Sequence, residues 1–277
     1  MTISLTNDLS KEYQLLFDTC EIRPQRQPTV EKLVGVIAQN KDRYRTAGKT
    51  LGIPWFFIGA IHNMESSLRF DRHLHNGDPL TARTTHVPNG RPKAGDPPFT
   101  WEESATDALQ LEGLDKVKNW TIPGILFQME KYNGFGYRTK HPEVLTPYLW
   151  SASNLYSKGK FTADGKFDPD ATSQQCGAAV LLRRMSETGI VTFDADGDPN
   201  LDFKDTPAPS IESYDPLVTF SATDATDVAK TLQRALNALP GIFLRVDGVA
   251  GIRTSDAFKK VTGHFLTGDP RAQVATG

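Results

Sequence analysis

Glu65 is the residue whose setting most needs a chemical explanation. It closes the run Ala60-Ile61-His62-Asn63-Met64-Glu65, just downstream of Trp55, Phe56, Phe57 and Ile58. A carboxylate among such side chains loses hydration, and desolvation penalises the charged form, so its pKa rises. A carboxyl that keeps its proton near neutral pH can act as a general acid, for instance on a glycosidic oxygen. The plainer reading is a solvated glutamate on the one wet strip of a helix. Acid chemistry of this kind is often completed by a second carboxylate, about 6.5–9.5 Å away when it activates water and about 5–5.5 Å away when it is the nucleophile. Asp71, Asp78 and Asp96 follow Glu65 in the chain. Asp78 is the candidate base or water-holder, although Asn76-Gly77-Asp78-Pro79 is also an ordinary turn. Asp71 has Arg69 and Arg72 to pair with.

Two metal-like patterns compete. Asp194, Asp196, Asp198, Asn200, Asp202 and Asp205 have the spacing of a calcium loop. Pro199 replaces its glycine and Asp205 its final glutamate, so an acidic solvated loop is the default. His62, Glu65, His73, His75 and Asp78 would suit a zinc peptidase or amidase, but no His-Glu-x-x-His helix pattern is present. No Gly-x-Ser-x-Gly elbow or glycine-rich phosphate loop occurs. Accordingly no metal and no cofactor is expected.

The elements that must position Glu65 read as mainly helical, an α+β chain with one small hairpin. Thr29 can cap a helix from Val30 to about Ala47, with Leu33, Val34, Ile37 and Ala38 on one face. Pro54 suits the first turn of a helix from Trp55 to about Ser67, apolar nearly all round and therefore buried. Residues 71–98, rich in Asn, Gly, Asp, Pro and Thr, predict an irregular β-hairpin around the segment Leu80 to Val87. Helices are then expected over 104–120, 122–133 with Gly134 as stop, and 174–187. Thr206 to Thr226 reads as a linker, which gives a large domain at 1–205, a linker at 206–222 and a small domain at 223–277.

This order of buried helix, glutamate, polar hairpin and further helices resembles the lysozyme superfamily. Ile61 to Leu80 resembles the goose-type lysozyme and soluble lytic transglycosylase branch, where Ser follows the acid Glu; Met64 departs from that branch's preceding Arg or Gln. Glu130-Lys131-Tyr132-Asn133-Gly134-Phe135-Gly136-Tyr137 is similar to its Tyr-Asn-Gly element, while its Gly-Leu-Met-Gln segment has no clear counterpart. The resemblance covers roughly residues 50–185. It implies Glu65 as acid and Asp78, in the hairpin, as the position where goose-type enzymes also carry Asp. It implies that Thr84 or Thr85 could hold a water, as a Thr does in phage-type lysozymes, and that Tyr132 and Asn133 contact sugar. Trp101, Tyr137, Tyr148 and Trp150 lie in or beside expected loops, where rings can stack on pyranose faces, against the alternative of core packing.

The C-terminal segment carries Leu232-Gln233 and Val246-Asp247-Gly248-Val249-Ala250-Gly251, then Thr254, with Val228, Leu232, Ala235, Leu236 and Leu239 on one helical face. Thr254 is read as the cap of a second helix. The pattern resembles the small three-helix peptidoglycan-binding module, apart from Val261-Thr262-Gly263 where that family often has Phe-Gln. Together the two resemblances imply a bacteriolytic muramidase, monomeric, whose partner is wall peptidoglycan. The alternatives are a lytic transglycosylase or chitinase on the same fold, the zinc enzyme, and a wall-binding phage structural protein without catalysis.

Composition excludes other classes. Net charge is −2 over 277 residues, which disfavours a nucleic-acid binder relying on bulk positive charge. No apolar run reaches the roughly 18 residues of a membrane helix. Met1 to Asp18 lacks a basic then apolar leader, so the expectation is a chain made in the cytoplasm that reaches the wall by phage-type release or a non-Sec route. Cys20 and Cys176 are too few for a disulfide scaffold and read as two buried thiols.

Overall fold

Regular structure among the described residues is mainly helical. In chain order it comprises α1 (Asn7–Thr19), α2 (Gln27–Gln39), α3 (Lys41–Lys49), α4 (Trp55–Ser66), α5 (Trp101–Leu111), α6 (Ile122–Asn133), α7 (Gly136–Lys140), α8 (Pro147–Trp150), the antiparallel pair β1 (Lys160–Ala163) and β2 (Lys166–Asp168), α9 (Ala178–Glu187), α10 (Asp227–Asn237) and α11 (Ile252–Thr262). The computed structural model describes residues 3–163, 165–191, 193, 218–237, 239, 242 and 244–272. The chain divides into two compact units, Met1–Met185 and Ser186–Gly277. The expected boundary near residue 205, the acidic loop at 194–205 and residues 206–217 of the expected 206–222 linker lie outside the described residues, while Val218 and Phe220, near the end of that linker, pack on the Ala229, Ala250 and Leu266 cluster of the second unit.

The first unit is built around α4. Pro54 caps it in an extended conformation, as its missing N–H allows, and Phe57, Ile58, Ala60 and Ile61 are fully buried. Helices α2 and α3 pack on α4, α3 also packs on α5, and α6 packs on α1 and α8. Each buried Phe or Ile contributes about 1.5–3 kcal/mol, so this apolar helix anchors the unit. The helix expected from Val30 to Ala47 is two helices. The Asn40 side chain donates to the Val36 carbonyl at 2.9 Å and its backbone leaves helical geometry, breaking the run into α2 and α3. Helix α5 starts earlier than expected, at Trp101, because Thr100 and Glu103 form a reciprocal capping box; it ends at Leu111, ahead of Gly113 at φ 70°. Helix α9 begins at Ala178, four residues later than expected.

The hairpin is not where the turn residues placed it. Over 71–98 the structure has only an isolated bridge between Arg72 and Pro79. Prolines 79, 88, 92, 97 and 98 remove the donors a strand ladder needs. Side chains hold this loop instead. Asp78 accepts from the backbone N–H groups of Thr85 and His86 at 2.8 and 3.0 Å, and His86 Nδ1 lies 2.7 Å from its other oxygen. The real hairpin, β1–β2, pairs Phe161 with Phe167. Its signal was present in the sequence as an Asp164-Gly165 dipeptide between two short runs that each carry a phenylalanine, Phe161 and Phe167. Tyr137 fastens it to α7: its hydroxyl accepts from the Phe161 N–H at 3.0 Å. His141 stacks on Phe167 with ring centroids 3.6 Å apart. Cys20 and Cys176 are buried and not joined.

In the second unit, two of the expected three helices are among the described residues. Leu236, Ile242 and Leu244 cluster with Leu232 and Phe258, while Ala229, Ala250 and Leu266 form a neighbouring cluster. The signature residues make one buried polar knot. Gln233 Nε2 donates to Asp247 Oδ1, the Val249 carbonyl and Thr254 Oγ1 at 2.9, 3.1 and 3.2 Å, and Gln233 Oε1 accepts from the Gly248 N–H at 2.9 Å. Gly248 takes φ 80°, and a Cβ there would stand 2.8 Å from the Thr226 carbonyl. Thr254 therefore serves the knot, and Gly251 occupies the cap position of α11. Gln233→Ala strands several buried groups and is expected to destabilise this unit by about 3 kcal/mol, read by chemical denaturation of the full chain. An unchanged unfolding transition would show the knot to be dispensable.

Candidate active site

Glu65 lies in the last turn of α4, half-buried, where the chain bends sharply away. Ser67 and Leu68, both non-glycine, follow at φ 53° and 59°, in the left-handed region. Two such residues in succession are held by bonds from the Leu68 N–H to the His62 carbonyl (3.2 Å) and the Arg69 N–H to the Ser66 carbonyl (3.0 Å). Strain of this kind concentrates at functional sites. The Tyr148 hydroxyl, on α8, donates to Glu65 Oε1 at 2.8 Å. Burial pushes the Glu65 carboxyl up to about 7, and the negative charge of Glu112 adds to the rise; the Tyr148 hydrogen bond opposes it. Burial, and next the charge of Glu65, hold both Tyr132 and Tyr148 well above the ordinary phenol range. Both phenols therefore stay protonated as donors at neutral pH.

Tyr148 also lines a cleft of about 410 Å³. Its walls include Asn133, Tyr137, Tyr148, Phe161, Thr162 and Gln175. Tyr148 links the cleft directly to Glu65, and Gln175 Nε2 donates to the Met64 carbonyl at 3.1 Å, one residue away. The β1–β2 hairpin thus forms one wall, and the Asn133-Gly134 corner, where Gly134 ends α6 at φ 82°, forms another. Such a groove offers polar side chains and aromatic faces together, with the Glu65 carboxyl one hydrogen bond behind Tyr148.

The sequence-predicted residues divide. Tyr132 reaches the Leu74 carbonyl at 3.4 Å and couples to Glu65, while Asn133 and Tyr137 line the cleft. Trp101 does not: it is 1% exposed, packed against Tyr44, His62 and Phe70, because α5 begins at this position, which was expected to be loop. Asp78 is buried, and four donors from Thr85 and His86 occupy its two oxygens. Burial favours its neutral form, but those donors prevail and hold it well below the ordinary carboxylate range. That is the arrangement of a loop staple, in which both oxygens are engaged within the loop itself. Thr84 is likewise a staple: its hydroxyl donates to the Pro88 carbonyl and accepts from the Arg91 N–H at 2.9 Å. Sequence reasoning missed Glu112, Gln175 and the bonding role of Tyr148, and no local pattern marks them.

The histidines of the zinc reading are engaged separately. His62 meets the Tyr44 hydroxyl and the Arg69 carbonyl, His73 meets Ser104 and the Ala82 carbonyl, and His75 meets Asp107, itself clamped by Arg91. Among the described residues no group of three His, Cys, Asp or Glu side chains is placed to hold a metal ion.

Two substitutions are expected to move the Glu65 pKa in opposite directions. Glu112→Gln removes a like charge and lowers it; Tyr148→Phe removes a donor to the charged form and raises it. Carbon-13 NMR titration of the Glu65 carboxyl reads both, and shifts of the same sign would contradict this electrostatic arrangement. No protein family, curated protein or solved structure matches the chain. Among the described residues no helix is long and apolar enough to cross a membrane.

Proposed function

We propose that this chain cleaves the glycosidic bond between N-acetylmuramic acid and N-acetylglucosamine in peptidoglycan, on a lysozyme-like fold. One observation carries the reading: a half-buried carboxyl, pushed up to about 7, is held by the hydroxyl of Tyr148, a buried residue that itself lines a polar and aromatic cleft. Glu65 delivers its proton to the departing sugar oxygen as the bond breaks. Tyr148 fixes the orientation of the carboxyl and supports the carboxylate left behind. Asn133, Gln175 and the ring of Tyr137 engage the sugars. The second unit, with its peptidoglycan-binding signature, holds the enzyme on the wall and raises local substrate concentration.

The engagement of both Asp78 oxygens favours a second reading of the same site. Without a carboxylate to activate water, Glu65 acts as acid and then as base, and a hydroxyl of the sugar itself attacks. Mass spectrometry of soluble products from purified peptidoglycan decides between them. Fragments with free reducing ends mean hydrolysis, and anhydro-ended fragments mean the intramolecular route. Freed stem peptides or no product at all would refute glycosidic cleavage.

A further inference from the structure

Glu130 and Arg138 form a buried ion pair that the acid chemistry does not use. Arg138 Nε and Nη2 donate to Glu130 Oε1 and Oε2 at 3.2 and 3.0 Å, a two-bond fork. The Tyr13 hydroxyl donates to Glu130 Oε2 at 2.5 Å, and Arg138 Nη1 donates to Glu12 Oε1 at 2.9 Å. Tyr13 is fully buried and Glu130 is 3% exposed, so α1 anchors the pair in the core. Burying an ion pair gives little net stability, because desolvation offsets the attraction, and apolar side chains of similar volume often serve as well or better. What the fork supplies is fixed geometry.

That geometry bears on the cleft. Glu130 lies on α6 and Arg138 on α7, eight residues apart. Between them stand Asn133, Gly134, Gly136 and Tyr137, all on the cleft wall. Gly134, at φ 82°, leaves this segment conformationally loose. Helix α7 has five residues, too few to hold an orientation by its own hydrogen bonds. The ion pair therefore closes the segment into a fixed loop. Tyr137 carries that setting to the hairpin through the bond it accepts from the Phe161 N–H. We propose that Glu130 and Arg138 are positioning residues, whose buried fork sets Asn133, Tyr137 and the β1–β2 wall at the spacing a glycan strand requires. This rests on the reading of the cleft as a glycan site and adds what holds its walls in place.

The test uses the full chain and solubilised peptidoglycan strands. Tyr13→Phe, Glu130→Leu and Arg138→Met together replace the cluster by apolar side chains of similar volume. The Tm of this triple variant should stay within about 5 °C of the wild type. Its KM should rise about tenfold, the loss of about one hydrogen bond to the sugars, with kcat within about twofold because Glu65 is untouched. Hydrogen exchange at the Phe161 N–H should speed up about tenfold while the amides of α4 keep their protection. A pair with a merely structural role would leave KM and Phe161 exchange alone in a variant that keeps its Tm, and that result would overturn the proposal. Should the triple variant not fold, Arg138→Lys decides, because it keeps the charge and loses the fork: a KM raised about threefold supports the proposal and an unchanged KM overturns it. Should the wild type cleave no strand, the glycosidase reading falls by itself, and Phe161 exchange in Arg138→Lys judges the clamp. Faster exchange supports it, and unchanged exchange overturns it.

Discussion

Glu65→Gln is expected to lower kcat on wall glycan by about a thousandfold and at the same time to stabilise the protein above neutral pH. The first effect follows, in the proposed reaction, from losing the proton donor to the leaving oxygen. The second follows from linkage. Burial raises the folded-state pKa of Glu65 from 4.5 to about 7, so between these values the native protein holds a proton that the unfolded chain releases. Stability contributed by this group therefore falls as pH rises through that window, and the penalty is complete above about pH 7. At about 1.4 kcal/mol per pKa unit, the penalty is about 3 kcal/mol. Gln carries no such penalty. Thermal melts of wild type and variant should coincide near pH 4 and separate near pH 8, with the variant higher by about 2–4 °C per kcal/mol. In the wild type, activity should fall as pH rises through about 7, where the acid form disappears. An inactive variant whose melts track the wild type at every pH would show Glu65 to be an ordinary solvated carboxylate in its electrostatics, and full activity would remove it from the chemistry.

Gly177→Ala is expected to be the most damaging small substitution in the first unit. A Cβ at this position would stand 2.2 Å from the Leu149 carbonyl oxygen, 2.4 Å from its carbon and 2.7 Å from the Trp150 nitrogen. These are backbone atoms of α8, which cannot rotate aside as a side chain can. The Gly177 N–H also donates to the Ser151 carbonyl at 2.8 Å, so the contact is both tight and bonded. Relief requires α8 to move, and α8 carries Tyr148. The expected cost is about 3 kcal/mol or more, a fall in Tm of about 10 °C. Below that transition the NMR titration of Glu65 should shift, because its donor has been displaced. Gly35→Ala is the control: nothing lies within 4 Å of the added Cβ, and α2 should gain about 0.5–1 kcal/mol from it. Matching melts for Gly177→Ala and the wild type would show that α8 is not held as described.

Several features were legible because they depend on neighbours in the chain. The apolar run after Pro54 specifies a buried helix whatever surrounds it, and Glu65, riding on that helix, is desolvated by the company it keeps. Gly134 stops α6 and opens the corner that places Asn133 and Tyr137 on the cleft. In the second unit, Gln233, Asp247, Gly248 and Thr254, singled out by their spacing, share a single set of hydrogen bonds.

Other expectations failed where a local pattern met a competing interaction. Turn-rich residues 71–98 predicted strands, yet the prolines left no ladder and the carboxylate of Asp78 took over the bonding. Trp101 carried no mark to distinguish a sugar-stacking ring from a core ring, and the Thr100–Glu103 box drew it into a helix and then into the core. By itself, then, the sequence determined the mainly helical class, the helix that carries Glu65, the direction of its pKa and the residues that join in the C-terminal unit's hydrogen bonds. Each follows from periodicity, capping or burial within a few turns of chain. Only the tertiary structure decided which donor meets Glu65, which hairpin walls the cleft and that Asp78 is engaged. Tyr148 lies 83 residues from Glu65, and a contact across that distance is set by how α4 and α8 are placed in the packed unit, which no local pattern encodes.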